Sequence, residues 1–194
     1  MSFGAARGHR TTVKDVPDSV SPEAVPTAFT PNADELIANN VRYVEEFDDH
    51  GLSLRPRRRL AIVACMDSRM DIFEMLGLAH GDAHVIRNAG GIVTEDVIRS
   101  LVLSQRLLGT QEVILLHHTD CGLQKVVGDQ LRDEIEADTG QRPTWDIGGF
   151  TDPAASVRTS IRTLRADPFL VNRAFIRGFV YHVDDGRLVE AVVE

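Results

Sequence analysis

Short apolar runs alternate with stretches of helical periodicity along most of the chain. The apolar runs predict strands at residues 60–64, 83–87, 112–117 and 175–182. Apolar positions that recur every three or four residues predict helices at residues 33–48, 71–76, 97–108, 123–138 and 153–165. A last strand at residues 188–193 would form a hairpin with the fourth strand across Asp184-Asp185-Gly186.

Strands that alternate with helices are typical of an α/β fold. We therefore expect a mostly parallel sheet of about four strands, with an antiparallel edge strand and helices on both faces. In such sheets, ligands bind beyond the carboxyl ends of the strands, where the winding direction of the chain reverses. Polar residues that directly follow a strand are therefore the first candidates for chemistry.

The first part of the chain differs in composition from the rest. Few large apolar residues occur there, and Ser and Thr are frequent. The same segment holds four prolines: Pro17, Pro22, Pro26 and Pro31. This composition predicts a flexible N-terminal arm over residues 1–32, or an extended segment that lies on a neighbouring subunit. Residues 33–194 are long enough to form a single domain with its own core.

Overall composition narrows the class of protein. Of the 194 residues, 43% are hydrophobic and 26% are charged, which is ordinary for a soluble globular protein. The net charge of -8 argues against nucleic-acid binding, which needs a basic surface. No apolar stretch approaches the roughly 18–20 residues that span a membrane. No apolar run follows the N-terminus as in a secretory signal, so we expect a cytoplasmic location.

The chain has two cysteines, and each lies in a polar motif directly after a predicted strand. Cys65 begins Cys-Met-Asp-Ser-Arg, and Cys121 ends His-His-Thr-Asp-Cys. Two thiolates and the imidazole of His118 are ligands that zinc prefers, and a catalytic zinc keeps a fourth position for water. In a reducing compartment such cysteines are metal ligands more often than a disulfide. Buried free cysteines, or a structural zinc closed by a fourth ligand, are the alternatives.

Asp67 and Arg69 lie two residues apart, so their side chains point the same way if the segment is extended. A pair between them would hold the carboxylate away from the metal and leave a coordination position for water. If the pair broke, Asp67 could itself become the fourth ligand and close the site. The simpler alternative is an ordinary surface salt bridge, which contributes little.

A glycine-rich loop, Asn88-Ala89-Gly90-Gly91, follows the second predicted strand. Its backbone N–H groups could approach a small substrate closely, although a tight strand-to-helix turn explains it equally well. We therefore take Asn88, Gly90, Gly91 and Gly122 as candidate substrate-binding residues. His117 is interpreted as a histidine of the core in preference to a proton shuttle.

The combined motif resembles the signature of the beta-class carbonic anhydrases. Cys-x-Asp-x-Arg matches Cys65, Asp67 and Arg69, and His-x-x-Cys matches His118 and Cys121 about fifty residues later. The surrounding sequence is most similar to the short bacterial subgroup found in mycobacteria. The resemblance covers about residues 34–193.

The resemblance implies reversible hydration of carbon dioxide to bicarbonate and a proton by zinc-bound hydroxide. It implies one Zn2+ per chain, held by Cys65, His118 and Cys121, with Asp67 and Arg69 as the catalytic dyad. Family members are dimers or higher oligomers, so a homodimer or higher homo-oligomer is expected.

Two other functions stay open at this stage. Hydrolases of carbonyl sulfide and carbon disulfide resemble the same family, and the metal motif does not separate their substrates from carbon dioxide. A non-catalytic zinc or bicarbonate sensor would keep Asp67 permanently on the metal. The presence of Arg69 argues against the sensor, because Arg69 is placed to hold Asp67 away.

Overall fold

The computed structural model describes residues 31–193 of the chain. Their helices and strands, in chain order, are α1 Ala33–Glu45, β1 Leu60–Cys65, α2 Ile72–Leu76, β2 Ala83–Asn88, α3 Glu95–Arg106, β3 Glu112–His118, α4 Gly128–Thr139, α5 Pro153–Ala166, β4 Phe175–Tyr181 and β5 Leu188–Glu190. The chain divides into two compact units, residues 1–48 and residues 49–194. The sheet lies entirely in the second unit.

The five strands form one sheet in the order β2-β1-β3-β4-β5. Strands β2, β1, β3 and β4 are parallel, and β5 pairs antiparallel with β4 at one edge. The predicted α/β fold, with its mostly parallel sheet and its antiparallel edge strand, is therefore confirmed.

Strand β1 is buried on both faces, and its alternating side chains enter two separate hydrophobic clusters. Ala61 and Val63 belong to the cluster that also holds the apolar residues of α3 and α5. Ile62 and Ala64 belong to the opposite cluster, which includes Ile72 of α2. Helices thus cover both faces of the sheet, as a buried parallel sheet requires.

The order of the strands places a reversal of winding between β1 and β3. From β1 the chain moves to one side to form β2, then returns past β1 to form β3 on its other side. The carboxyl ends of β1 and β3 are Cys65 and His118. These two residues therefore lie where ligands bind in sheets of this kind.

The single helix predicted over residues 123–138 is wrong in its first part. The structure has a short 3-10 turn, Gly122–Lys125, and α4 begins only at Gly128 because Val126 and Val127 are extended. This break is a tertiary effect. The Phe150 N–H donates to the Leu123 carbonyl at 3.2 Å and holds a distant loop against the segment.

Two further elements, α1 and β5, are shorter than predicted. Helix α1 ends at Glu45, and β5 covers Leu188–Glu190, although the Ala191 N–H still donates to the Gly178 carbonyl at 2.9 Å. In α1 none of the residues is buried. Of the predicted arm over residues 1–32, all but the last two positions lie outside the described residues.

Between residues 31 and 193, no helix is long and apolar enough to cross a membrane.

Candidate metal centre

Three predicted ligands converge at the carboxyl edge of the sheet. Cys65 ends β1, His118 ends β3, and Cys121 follows the short turn after β3. All three are buried, and their donor atoms lie within 4.8 Å of one another. The two sulfur atoms are 4.0 Å apart. In a tetrahedral zinc site, zinc–sulfur bonds of about 2.3 Å place two sulfurs roughly 3.8 Å apart, so this spacing suits zinc.

The hydrogen bonding of His118 prepares its ring for a metal. Nδ1 lies 2.8 Å from the Thr119 carbonyl, which accepts its proton and leaves Nε2 with a free lone pair. Nε2 is buried and has no hydrogen-bond partner among residues 31–193. A buried acceptor without a partner is unfavourable, and a metal ion would satisfy it. The three residues therefore fit a zinc ion in both chemistry and geometry.

The pKa values of the two thiols are shifted in opposite directions. Contact with Cys121, together with His118 and the N–H groups of Asp67 and Gly90, lowers the pKa of the Cys65 thiol. The contact with Cys65 raises the pKa of Cys121. The pair therefore favours one thiolate and one thiol. A bound cation would replace the remaining proton, since metal ligands must be deprotonated.

Asp67 is held by Arg69 in a two-point ion pair. Arg69 Nε donates to Asp67 Oδ1 at 2.9 Å, and Nη2 donates to Oδ2 at 2.8 Å. The Arg69 backbone N–H also donates to Oδ1 at 2.9 Å. These bonds lower the pKa of Asp67 to about 2, so the carboxylate is ionised at neutral pH. Its Oδ2 lies 3.6 Å from His118 Nε2, at the border of the donor cluster.

Asp120 fixes Arg69 from the other side, a role that the sequence did not indicate. Its carboxylate accepts from Arg69 Nη1 and its backbone carbonyl from Arg69 Nη2, each at 3.1 Å. Asp120 has a φ of 54°, in the left-handed region, and Lys125 donates to its other carboxylate oxygen. The only signal in the sequence is its place between Thr119 and Cys121.

Arg87, at the end of β2, is a second contributor that the motifs did not identify. Its Nε donates to the Cys65 carbonyl at 2.9 Å, and its Nη2 donates to the Asp67 carbonyl at 2.6 Å. The side chain thus fixes the backbone that carries the first ligand and the carboxylate. Contacts to backbone carbonyls follow no residue pattern, so the sequence could not reveal them.

The glycine loop packs against the strands that carry the ligands. Gly91 has a φ of 66°, and a Cβ atom there would lie 2.7 Å from the Cys65 nitrogen and 2.8 Å from the Leu116 oxygen. Gly90 donates its N–H to the Cys65 sulfur. The glycines therefore allow close backbone approach to the thiolate. Asn88 donates from Nδ2 to the Ile92 carbonyl at 2.9 Å and closes the loop.

His117 is a fully buried residue that supports the glycine loop. Its Nε2 donates to the Gly91 carbonyl at 3.1 Å, and its ring packs against Phe150 at a centroid distance of 5.3 Å. Burial lowers the pKa of His117 to about 4, so the ring is neutral at physiological pH. This environment agrees with the interpretation of His117 as a histidine of the core.

The chain is similar to known carbonic anhydrases in sequence. A family model described as carbonic anhydrase matches residues 60–145, which include all three predicted metal ligands. The chain is 50% identical to beta-carbonic anhydrase 1 of Mycobacterium tuberculosis over 157 residues. The matched region covers 81% of this chain and 96% of the relative.

Solved structures and a second group of relatives share the fold. A carbonic anhydrase from Streptococcus mutans has a TM-score of 0.79 and 43% identity, over 85% of this chain and all of that one. A carbon disulfide hydrolase from Acidianus is 33% identical, over 79% of this chain and 88% of the relative. An apo carbon disulfide hydrolase structure has a TM-score of 0.66 and 30% identity, over 81% of this chain and 91% of that one.

Proposed function

The chain belongs to the beta-carbonic anhydrase family, and from this premise we propose how its residues serve the family's reaction. The protein is a carbonic anhydrase, a lyase that interconverts carbon dioxide and bicarbonate. One observation carries the assignment of residues. The buried group Cys65, His118 and Cys121 lies beside an Asp67–Arg69 pair at the reversal point of the sheet.

Cys65, His118 and Cys121 would hold one zinc ion per chain. When bound, zinc lowers the pKa of a coordinated water to about 7 and so supplies the nucleophile for hydration near neutral pH. The protein prepares its ligands in advance. Thr119 orients the His118 ring, and the N–H groups of Gly90 and Leu123 stabilise the Cys65 and Cys121 sulfurs respectively.

Asp67 and Arg69 would form the catalytic dyad. Arg69 binds both carboxylate oxygens and keeps Asp67 from serving as a fourth ligand. An ionised carboxylate has about four lone-pair positions, so Asp67 can still accept a hydrogen bond from a reacting water. Its side chain is 18% exposed, which leaves it open on one side. The dyad thus orients water and keeps the site open.

The substrate contacts are proposed for Asn88, Gly90, Gly91 and Gly122. Gly122 adjoins Cys121, and a Cβ built there meets nothing within 4 Å among residues 31–193, so space is available beside it. Gly90 and Gly91 lie against the backbone that carries Cys65, and their N–H and carbonyl groups respectively already bind Cys65 and His117. Asn88 Oδ1 is buried without a hydrogen-bond partner among the described residues and is free to accept one.

Similarity to carbon disulfide hydrolases supports testing sulfur substrates as a second activity. Identity to the mycobacterial carbonic anhydrase is 50%, against 33% for the Acidianus hydrolase, so carbon dioxide remains the principal substrate. Zinc-loaded protein should therefore hydrate carbon dioxide much faster than it hydrolyses carbonyl sulfide or carbon disulfide. Faster turnover of a sulfur substrate would reverse the assignment.

The assembly is proposed to be a homodimer or higher homo-oligomer. Helix α1 presents Leu36, Ile37, Val41 and Val44, each between 60% and 66% exposed. Contiguous apolar surface of this kind marks an association site. Light scattering should give the mass of a dimer or larger species, and Val41→Glu should reduce it while Glu45→Lys on the same helix should not. A monomeric parent protein would contradict the proposal.

A cytoplasmic location is proposed because the site requires free thiols. Both cysteines are unpaired and buried, and the reducing cytoplasm keeps thiols in that state. Fractionation of the source cells should recover the protein with cytoplasmic markers.

A further inference from the structure

A small basic cleft lies at the amino-terminal edge of the sheet, opposite the metal centre. It has a volume of about 390 Å³. Three arginines line it: Arg55, Arg57 and Arg59. The other lining residues are Pro56, Leu108, Gly109 and Gln111, so no carboxylate of residues 31–193 lines the cleft. The cleft lies next to the first residue of β1, whereas the predicted zinc ligands lie at the carboxyl ends of the strands.

The segment that carries the arginines is fixed by backbone contacts. The Arg57 N–H donates to the Gly81 carbonyl at 2.9 Å, and the Arg59 carbonyl accepts from the Gln111 N–H at 2.7 Å. Pro56 between them is buried, and Arg59 has a φ of 52°, in the left-handed region. The three side chains therefore extend from a backbone that is already ordered, which reduces the entropy lost when they bind a ligand.

Asp82, the carboxylate that is hydrogen-bonded to Arg57, does not neutralise the positive charge of the cleft. Asp82 accepts from Arg57 Nε at 2.9 Å, from Arg58 Nε at 3.2 Å and from the Ala79 N–H at 3.0 Å. Its charge is therefore shared by two guanidinium groups. The side chains of Arg55 and Arg59 form no ion pair with any residue from 31 to 193. A positive cleft thus persists on a chain of net charge -8.

Two simpler explanations account for only part of this cluster. The carboxyl end of α3 adjoins the cleft through Leu108 and Gly109, and a helix C-terminus favours a nearby cation. One arginine would serve that purpose, and three are present. A nucleic-acid surface would need a broad basic face, but the chain has 29 acidic and 21 basic residues. The size and charge of the cleft fit a small ligand better.

We propose that this cleft binds a small multivalent oxyanion of the phosphate type. The guanidinium group presents paired N–H donors that match the oxygens of phosphate. Arg57 already donates from Nε to Asp82 and from Nη2 to the His80 carbonyl. Arg55 and Arg59 therefore supply the main donors for a ligand with two or more negative charges, and Arg57 adds positive charge beside them. Gln111 supplies an uncharged polar group on the same wall. The site is separate from the metal centre, so the inference does not depend on zinc or on the proposed catalytic roles.

Calorimetric titration of the full zinc-loaded chain with inorganic phosphate and with pyrophosphate tests the proposal. Both should bind saturably at one site per chain, with pyrophosphate tighter and both weakened by salt. Arg55→Ala combined with Arg59→Ala should weaken binding by roughly tenfold or more, because charge-assisted hydrogen bonds are lost. Both side chains are exposed, so the double variant should fold normally.

The matched control removes two positive charges elsewhere. Arg162→Ala combined with Arg173→Ala changes the net charge equally at two exposed positions outside the cleft. This control should bind both anions as the parent protein does. Absence of saturable binding to the parent protein would overturn the proposal. Equal weakening in both double variants, or none in the cleft variant, would overturn it too, because the anion would then be bound elsewhere.

Discussion

Asp67 Oδ2 lies 3.6 Å from Nε2 of His118, yet both oxygens of Asp67 are bound by the guanidinium group of Arg69. The carboxylate is therefore near enough to the predicted zinc ligands to compete for a bound metal, but Arg69 binds both of its oxygens. Asp120 in turn fixes Arg69 through its carboxylate and its carbonyl. We therefore predict that Arg69 decides whether the fourth coordination position of a bound zinc is open.

Replacing Arg69 should close the site. In Arg69→Ala, Asp67 is released and can turn onto the metal, so carbon dioxide hydration should fall by roughly a hundredfold with zinc content unchanged. Stopped-flow hydration and metal analysis on the same sample measure both quantities. Arg177→Ala is the control, since it breaks a similar two-point pair with Glu190, at 2.8 and 2.7 Å, away from the site. Equal activity of the two variants would contradict the role of Arg69.

Gly91 and Gly122 provide a matched test of the glycine loop. A Cβ atom at position 91 would lie 2.7 to 2.9 Å from backbone atoms of β1 and β3, whereas one at position 122 meets none of the described residues within 4 Å. Gly91→Ala should therefore lower the free energy of unfolding by about 2–4 kcal/mol through overpacking and backbone strain. Gly122→Ala should change it little. Urea denaturation of the metal-free proteins measures both, and equal losses would be inconsistent with this packing.

His117 should contribute to stability through its buried ring. His117→Ala leaves a cavity and an unpaired Gly91 carbonyl, so we expect a loss of about 2–4 kcal/mol in the free energy of unfolding. Zinc affinity should fall as well, because His117 holds the Gly91 carbonyl in place and the neighbouring Gly90 N–H binds the Cys65 sulfur. The control is His182→Ala, a partly buried position in the hairpin between β4 and β5. If the two variants lose the same stability, His117 has no special structural role.

The lowered pKa of Asp82 should make the stability of the folded protein depend on pH. The Ala79 N–H, together with Arg57 and Arg58, lowers the pKa of Asp82 to about 2 in the folded protein. An unfolded Asp has a pKa of about 3.9, so the carboxylate stabilises the fold above that pH and loses this effect as pH falls toward 2. Asp82→Asn should therefore destabilise the metal-free protein at pH 7 and less so at pH 3.

The comparison for Asp82 uses a carboxylate without such contacts. Asp138 is exposed and forms no ion pair among the described residues, so Asp138→Asn should have little effect at either pH. Unfolding midpoints at the two pH values give the result. A loss at Asp82 that stays constant from pH 7 to pH 3 would argue against the charged contacts.

The sequence predicted the parts of the molecule that depend on local pattern. The apolar run of β1 predicts a buried strand, as the structure has it. Cys65 and His118 were found because polar motifs begin where the apolar runs end. Two contributors were missed. Asp120 binds the guanidinium group of Arg69, which is distant in sequence, and Arg87 binds backbone carbonyls. Neither kind of contact produces a periodic pattern in the sequence. The break before α4 was missed for a related reason, since a loop near Phe150 imposes it from outside the segment.

The most direct test of the central claim is a zinc titration of chelator-treated protein, followed by stopped-flow carbon dioxide hydration at pH 8.5. If Cys65, His118 and Cys121 hold the catalytic metal, activity should rise in proportion to added zinc and level off at one ion per chain. Cys121→Ser should bind zinc weakly and recover little activity. Full hydration activity without zinc, or in the Cys121→Ser variant without bound zinc, would contradict the claim.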